Sequence, residues 1–205
     1  MVVAYHLILT HYGFWLPNDP RGSWSDFVRA WELQAFGPAT KTVERRSVAG
    51  QTHDRKARLA AKEALARDPV ELTGGQALAV AMGFADYARR SGLVVVAASV
   101  LPKHTHLVVG RMGHHVEQTA NLLKGAATAE LSRRGLHPFL DQPYRNGRLP
   151  TPWARGQWAC YLNDDADVRR AIAYVENNPV KDGRPAQKWS FVTPYLGLQT
   201  FGLPA

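Results

Sequence analysis

Leu101-Pro102-Lys103-His104-Thr105-His106-Leu107-Val108-Val109 is the stretch on which the reading of this chain turns. Its second half has the apolar, β-branched composition of a strand, and the run before it, Leu93 to Leu101, is almost continuously apolar and reads as a buried strand. Pro102-Lys103 is a short turn between them, which makes the two strands an antiparallel pair. Side chains at i and i+2 of a strand share a face. His104 and His106 therefore present two imidazoles side by side, the beginning of a metal site. Taken alone, a His-x-His pair is also a frequent chance pattern.

The elements on either side give the pair its setting. Upstream, Thr73 is an N-cap with Gln76 three residues on, and Ala77, Val80, Ala81, Phe84 and Ala88 recur at helical spacing until Gly92 stops the helix. Downstream, Val116, Ala120, Leu123, Ala127 and Leu131 mark the buried face of a second helix, from about Val116 to Arg134. A loop rich in Pro and Gly follows, then a last strand over Trp158 to Leu162. A final helix starts at Asp164, runs through Val175 and ends at Asn177-Asn178-Pro179. At the other end of the chain, Val2 to Thr10 reads as the first strand.

Between the first strand and the first core helix lies a less regular region of about residues 25–72, read as an insertion. It holds a short helix over Asp26 to Phe36, a basic extended segment over Thr40 to Val48 and an Ala-rich helix over His53 to Arg67. Without the insertion and the last helix, the order is β-α-β-β-α-β. This is the order of an α+β, ferredoxin-like sandwich, an antiparallel sheet with helices on one face. The reading is of one domain over residues 1–205, with a C-terminal extension from about residue 164. Trp189, Phe191 and Tyr195 of that extension fold back onto the body.

Composition narrows the ligand class. The 205 residues carry 25 Lys plus Arg against 17 Asp plus Glu, a net charge of +8. A basic balance favours a polyanionic partner, most often nucleic acid. Cys160 is the single cysteine, so no internal disulfide forms. No targeting segment is visible and no run approaches the ~20 apolar residues of a membrane span, so a cytoplasmic protein with no membrane partner is expected. The irregular stretch from His11 to Trp24 carries Tyr12, Phe14, Trp15 and Trp24 around Arg21. Aromatics interleaved with a guanidinium can stack unpaired bases and hold a phosphate. Such aromatics can equally pin a long loop to a core.

Together these residues resemble a known group. The Leu101–Val109 stretch is similar to the HUH motif of single-strand DNA transposases, the IS200/IS605-like and REP-associated tyrosine transposases. Two further stretches resemble patterns among their relatives. One is Tyr12-Gly13-Phe14-Trp15-Leu16-Pro17-Asn18-Asp19-Pro20-Arg21-Gly22; the other is Trp153-Ala154-Arg155-Gly156 followed by Ala173-Tyr174-Val175-Glu176-Asn177-Asn178-Pro179. The resemblance implies a ferredoxin-like fold and a divalent metal, Mg²⁺ or Mn²⁺, on His104 and His106. It also implies a single-stranded or hairpin DNA ligand and a possible homodimer. In the group, a tyrosine on the helix after the HUH strand attacks the phosphodiester and forms a 5′-phosphotyrosine link. A polar residue one turn later can complete the metal site.

This chain departs from that pattern. The helix from Val116 has no tyrosine, and the expected position falls at Ala126. By the same register Glu130, four residues on, becomes the candidate third metal ligand. Tyr144, Tyr161 and Tyr174 are the remaining candidate nucleophiles. Tyr12, Trp15, Arg21, Lys103, Arg111 and Lys124 are the candidate DNA contacts. Three rival readings stand beside a DNA endonuclease: a domesticated binding protein that no longer cuts, a ferredoxin-like RNA-binding module, and a plain metal-dependent hydrolase.

Overall fold

A computed structural model describes residues 1–14, 16, 31–37 and 54–203. Trp15, Arg21, the expected extended segment Thr40 to Val48 and the first residues of the expected helix Asp26 to Phe36 lie outside them. Strand β1 (Ala4–Thr10) is followed by a 3-10 turn (Trp31–Phe36) and helix α1 (Arg55–Glu63). Helix α2 (Gly74–Ser91) opens with the expected capping box: Thr73 Oγ1 accepts the Gln76 N–H at 3.3 Å, and Gln76 Oε1 accepts the Thr73 N–H at 2.9 Å. Gly92, at φ 69°, supplies the left-handed residue that ends it. Strands β2 (Val95–Val100) and β3 (His104–Gly110) pair antiparallel, then come α3 (Val116–Arg133), β4 (Trp158–Leu162) and α4 (Asp165–Lys181).

The sheet order is β2-β3-β1-β4 and every pairing is antiparallel. With the element order this is the ferredoxin-like α+β sandwich that the sequence implied. Strand alternation splits the sheet into two apolar faces. Tyr5, Leu7, Leu9, Leu107 and Val109 pack against Phe84 of α2 and Leu123, Ala127 and Leu131 of α3. Ala4, Val96, Val108 and Leu162 pack against Val168, Ala171 and Val175 of α4. The consequence for function is direct: α2 and α3 cover one face, and α4 covers the other.

The last helix departs from its expected end. It continues through Asn177, Asn178 and Pro179 to Lys181. Proline usually marks a helix end because its ring disfavours an α conformation in the residue before it. Here Pro179 is itself buried, so packing holds the final turn in place. The tail then wraps the β2 edge. The Thr193 N–H donates to the Val95 carbonyl at 2.8 Å. Gln187 brackets Val100, accepting its N–H at 2.8 Å and donating to its carbonyl at 2.9 Å. Trp189 and Phe191 pack on one core, and Tyr195 on the other, as expected of a tail that folds back.

Candidate functional site

The register of β1 against β3 places Ile8 opposite His106 and Thr10 opposite His104. His104, His106 and Val108 share one face of β3, the face that α4 covers. The two imidazoles meet edge to face, with ring centroids 4.8 Å apart. A third imidazole joins them from β1: His6 Nε2 lies 2.9 Å from His106 Nδ1. His6 and His106 are both buried, and burial holds both below the ordinary imidazole range, His6 at about 4. Both rings are therefore neutral at physiological pH, the form that binds metals.

Tyr174 of α4 stands over this cluster. Its ring centroid is 5.5 Å from that of His106 and 5.6 Å from that of His6. Tyr174 itself is 46 % exposed, so it lies at the border between the cluster and solvent. Burial, and secondarily Cys160, raise the phenol above its ordinary range. Lys181, seven residues further along α4, holds its ammonium 5.2 Å from the Tyr174 ring centroid. Asn178 lies between them in sequence, one turn past Tyr174. Its Nδ2 is buried and has no hydrogen-bond partner among the described residues. The two ends of an amide are assigned from surrounding partners, so the same site serves an amide oxygen equally.

The other candidate tyrosines are elsewhere. Tyr161 is on β4, edge-on to Tyr5 at 5.5 Å, and Tyr5 belongs to the core beneath α2 and α3. Tyr144 is in the loop after α3, with the Arg67 guanidinium 4.9 Å from its ring centroid. The register that put the nucleophile at Ala126 is corrected by the sheet's two-sidedness. Helix α3 lies on the face opposite His104 and His106, where Ala126 and Ala127 abut Gly83 of α2. Glu130 is corrected with it. Its carboxylate takes hydrogen bonds from Arg133 and Arg134 at 2.6–2.7 Å, which hold it far below the ordinary carboxylate range, and it does not join the histidines. Among the described residues no group of three or more His, Cys, Asp or Glu side chains is arranged to hold a metal ion.

The candidate DNA contacts also separate. Lys124 is buried, and its ammonium donates to the carbonyls of Ala154 (3.2 Å) and Gly156, so it holds a turn instead of a phosphate. Tyr12 packs edge-on against Phe139 at 5.7 Å, on the α2–α3 core, so its ring is not a stacking platform. Lys103 stays at the surface, paired with Glu71 at 2.9 Å. Arg111 is exposed beyond the far end of β3, roughly 20 Å of strand from His104. The turn held by Lys124 carries Arg155, which is exposed, and the Ala154 N–H donates to the Thr10 carbonyl at 2.9 Å. Thr10 pairs with His104, so the turn that carries Arg155 is tied to the β1 end that lies opposite His104.

Sequence reasoning missed His6, Asn178 and Lys181 as site residues. The available signal was a polar ring interrupting an otherwise apolar first strand.

No family model matches the chain, and no curated protein matches it. Solved structures similar to it include two transposase-related proteins. One is a REP-associated tyrosine transposase bound to a REP hairpin, at 21 % identity and a TM-score of 0.44, over 62 % of this chain and 70 % of that one. The other is a candidate transposase from Deinococcus radiodurans, at 17 % identity and a TM-score of 0.37, over 91 % of this chain and 94 % of that one.

Proposed function

We infer that this protein is a transposase-related HUH endonuclease acting on single-stranded or hairpin DNA, with Tyr174 as its nucleophile. The observation that carries the reading is the contact of the Tyr174 ring with His106 and His6 on the sheet face that also holds His104. Nucleophile and metal-type ligands come from different elements and converge, the arrangement phosphodiester chemistry needs.

His104 and His106 would hold a divalent cation, Mg²⁺ or Mn²⁺, with Asn178 as an oxygen donor. Two imidazoles fit such an ion when oxygen donors complete its shell, and the orphaned amide of Asn178 supports its assignment as one of them. When bound, the ion supplies charge compensation for the non-bridging phosphate oxygens. The chain's own residues do the rest. The phenol is protonated in the free protein and loses its proton as Oη attacks phosphorus. A P–O bond forms to Tyr174, the bond to the 3′ oxygen breaks, and that oxygen takes up a proton to leave as a 3′-hydroxyl. The phosphodiester bond energy is conserved in the phosphotyrosine, so rejoining requires no nucleotide triphosphate. Lys181 and Arg155 provide cations beside the phosphate path.

The ground for a binding-only derivative was the missing tyrosine of α3, and α3 lies on the wrong face to supply one. An RNA-reading sheet needs an open face, whereas helices cover both faces here. A plain hydrolase would want a carboxylate cluster that holds its metal, and no such cluster is arranged among the described residues. We read residues 25–72 as an insertion, supported by Leu16, Leu33 and Ala61, which bury one another apart from both main cores. A homodimer would use a surface other than the β2 edge, which the tail covers. Cytoplasmic location remains part of this reading; among the described residues no helix is long and apolar enough to cross a membrane.

The test is adduct formation on end-labelled hairpin DNA with Mn²⁺. The wild type is expected to give a nicked product and an SDS-stable protein–DNA adduct. Tyr174→Phe should abolish both while still shifting the hairpin in a gel, and Tyr161→Phe and Tyr144→Phe should retain both. An adduct that survives in Tyr174→Phe would sink the assignment.

A further inference from the structure

His6 has no part in the chemistry above, yet it is built into the centre of the sheet. It is buried on β1, next to Leu7 and close to Ala4 and Leu9, all fully buried. A polar ring at such a position costs stability unless a partner satisfies it. Its partner is a nitrogen of a proposed metal ligand, His106 Nδ1 at 2.9 Å. One proton lies between these two nitrogens, and the direction of that bond decides what His106 can do. If His6 Nε2–H donates, neutral His106 keeps its proton on Nε2 and has no lone pair left for a cation. If His106 Nδ1–H donates, His106 Nε2 carries a free lone pair.

We propose that His6 is a positioning residue that accepts the Nδ1 proton of His106, fixes its tautomer and ring rotation, and so holds His106 Nε2 as a lone-pair donor to a divalent cation. In other sites this orienting role falls to a carboxylate, carbonyl or water behind the ligand. Here an imidazole fills it, and the same ring backs Tyr174 at 5.6 Å. One residue of the central strand thus steadies both a ligand and the nucleophile. The cation's part in this rests on the HUH reading; the tautomer is a property of the chain alone.

The experiment has two arms. In metal-free, ¹⁵N-labelled full-length protein, long-range ¹H–¹⁵N correlation of the imidazoles is expected to show His106 protonated on Nδ1, and a proton on its Nε2 overturns the proposal. In the second arm, binding of Mn²⁺ alone is followed by electron paramagnetic resonance. His6→Gln keeps an acceptor and is expected within about threefold of wild type, while His6→Leu, checked for folding by circular dichroism, is expected to bind about tenfold more weakly or worse. Wild-type affinity in His6→Leu, or a wild type that takes up no Mn²⁺, overturns it as well. Failure of the nuclease reading looks different: the wild type would give neither nick nor adduct, while the tautomer and affinity results would stand.

Discussion

His104 and His106 were legible as a pair because strand geometry alone puts i and i+2 together. His6 was not, because its contact with His106 depends on the register between two strands about a hundred residues apart in the chain. The role proposed for Tyr174 shows the same limit, since it follows from which face of the sheet the helix covers. Its ring is half exposed, so loss of the hydroxyl should barely affect folding. Tyr174→Phe is expected to change stability by less than about 0.5 kcal/mol in urea unfolding, which separates its effect on cleavage from any effect on fold. Lys124 carries the opposite lesson. Read as a phosphate contact, it is committed to two carbonyl oxygens, and burial lowers its ammonium to about 8. Lys124→Met should cost about 1–3 kcal/mol by urea unfolding, because both carbonyls lose a charged donor. Arg155→Ala should instead leave stability unchanged and reduce the salt slope of hairpin binding by about 0.7, the signature of one single-strand phosphate contact.

Helices α2 and α3 meet at a point where backbone nearly touches backbone. A Cβ on Gly83 would sit 2.5 Å from the Ala127 Cα and 2.7 Å from the Ala126 carbonyl oxygen. Neither atom is the end of a flexible side chain, so the helices must separate to admit it. Gly83→Ala is expected to lower stability by about 2–3 kcal/mol in thermal or urea melts, at the upper end for overpacking, and a neutral result would refute this contact. The crossing makes α3 a packing element of the face opposite His104 and His106. Helix α4 was legible at its start, where Asp164 accepts the Asp167 N–H at 2.7 Å, and illegible at its end. The local preference of the residue before a proline argued for a stop, and burial of Pro179 overrode it. That extra turn is what sets Asn178 and Lys181 on the helix that carries Tyr174.

Across the whole molecule, the basic charge and the buried histidines act in different pH ranges. His6 and His11 both have imidazoles lowered from 6.5 to about 4, in each case chiefly by burial. Above pH 6.5 these rings are neutral in the folded and unfolded chain alike, and their contribution to stability is fully present. As pH falls from 6.5 toward 4, the unfolded chain takes up protons that the folded chain resists, and stability drops. At ~1.4 kcal/mol per pH unit each ring accounts for about 3 kcal/mol by the bottom of that window. Urea midpoints should therefore fall steeply between pH 6.5 and 4, and less steeply in His11→Asn; equal slopes would contradict burial of the His11 ring as the cause. The tail acts at the same scale. It covers the free edge of β2 through Gln187 and Thr193. Deleting residues 187–205 bares that edge and the core beneath Trp189 and Phe191. Light scattering after size exclusion is expected to show self-association of the truncated chain.

The sequence by itself determined the element order, the ferredoxin-like class, the caps of α2 and the side-by-side histidines, because periodicity, capping and turn chemistry are local. Only the tertiary structure decided which helix meets those histidines. A β-sheet has two faces, and the sequence pattern that buries a helix does not say on which face it lies. Once α4 is seen to cover the His104–His106 face and α3 the other, Tyr174 replaces Ala126 as the position to examine, and His6 enters the site through the strand register.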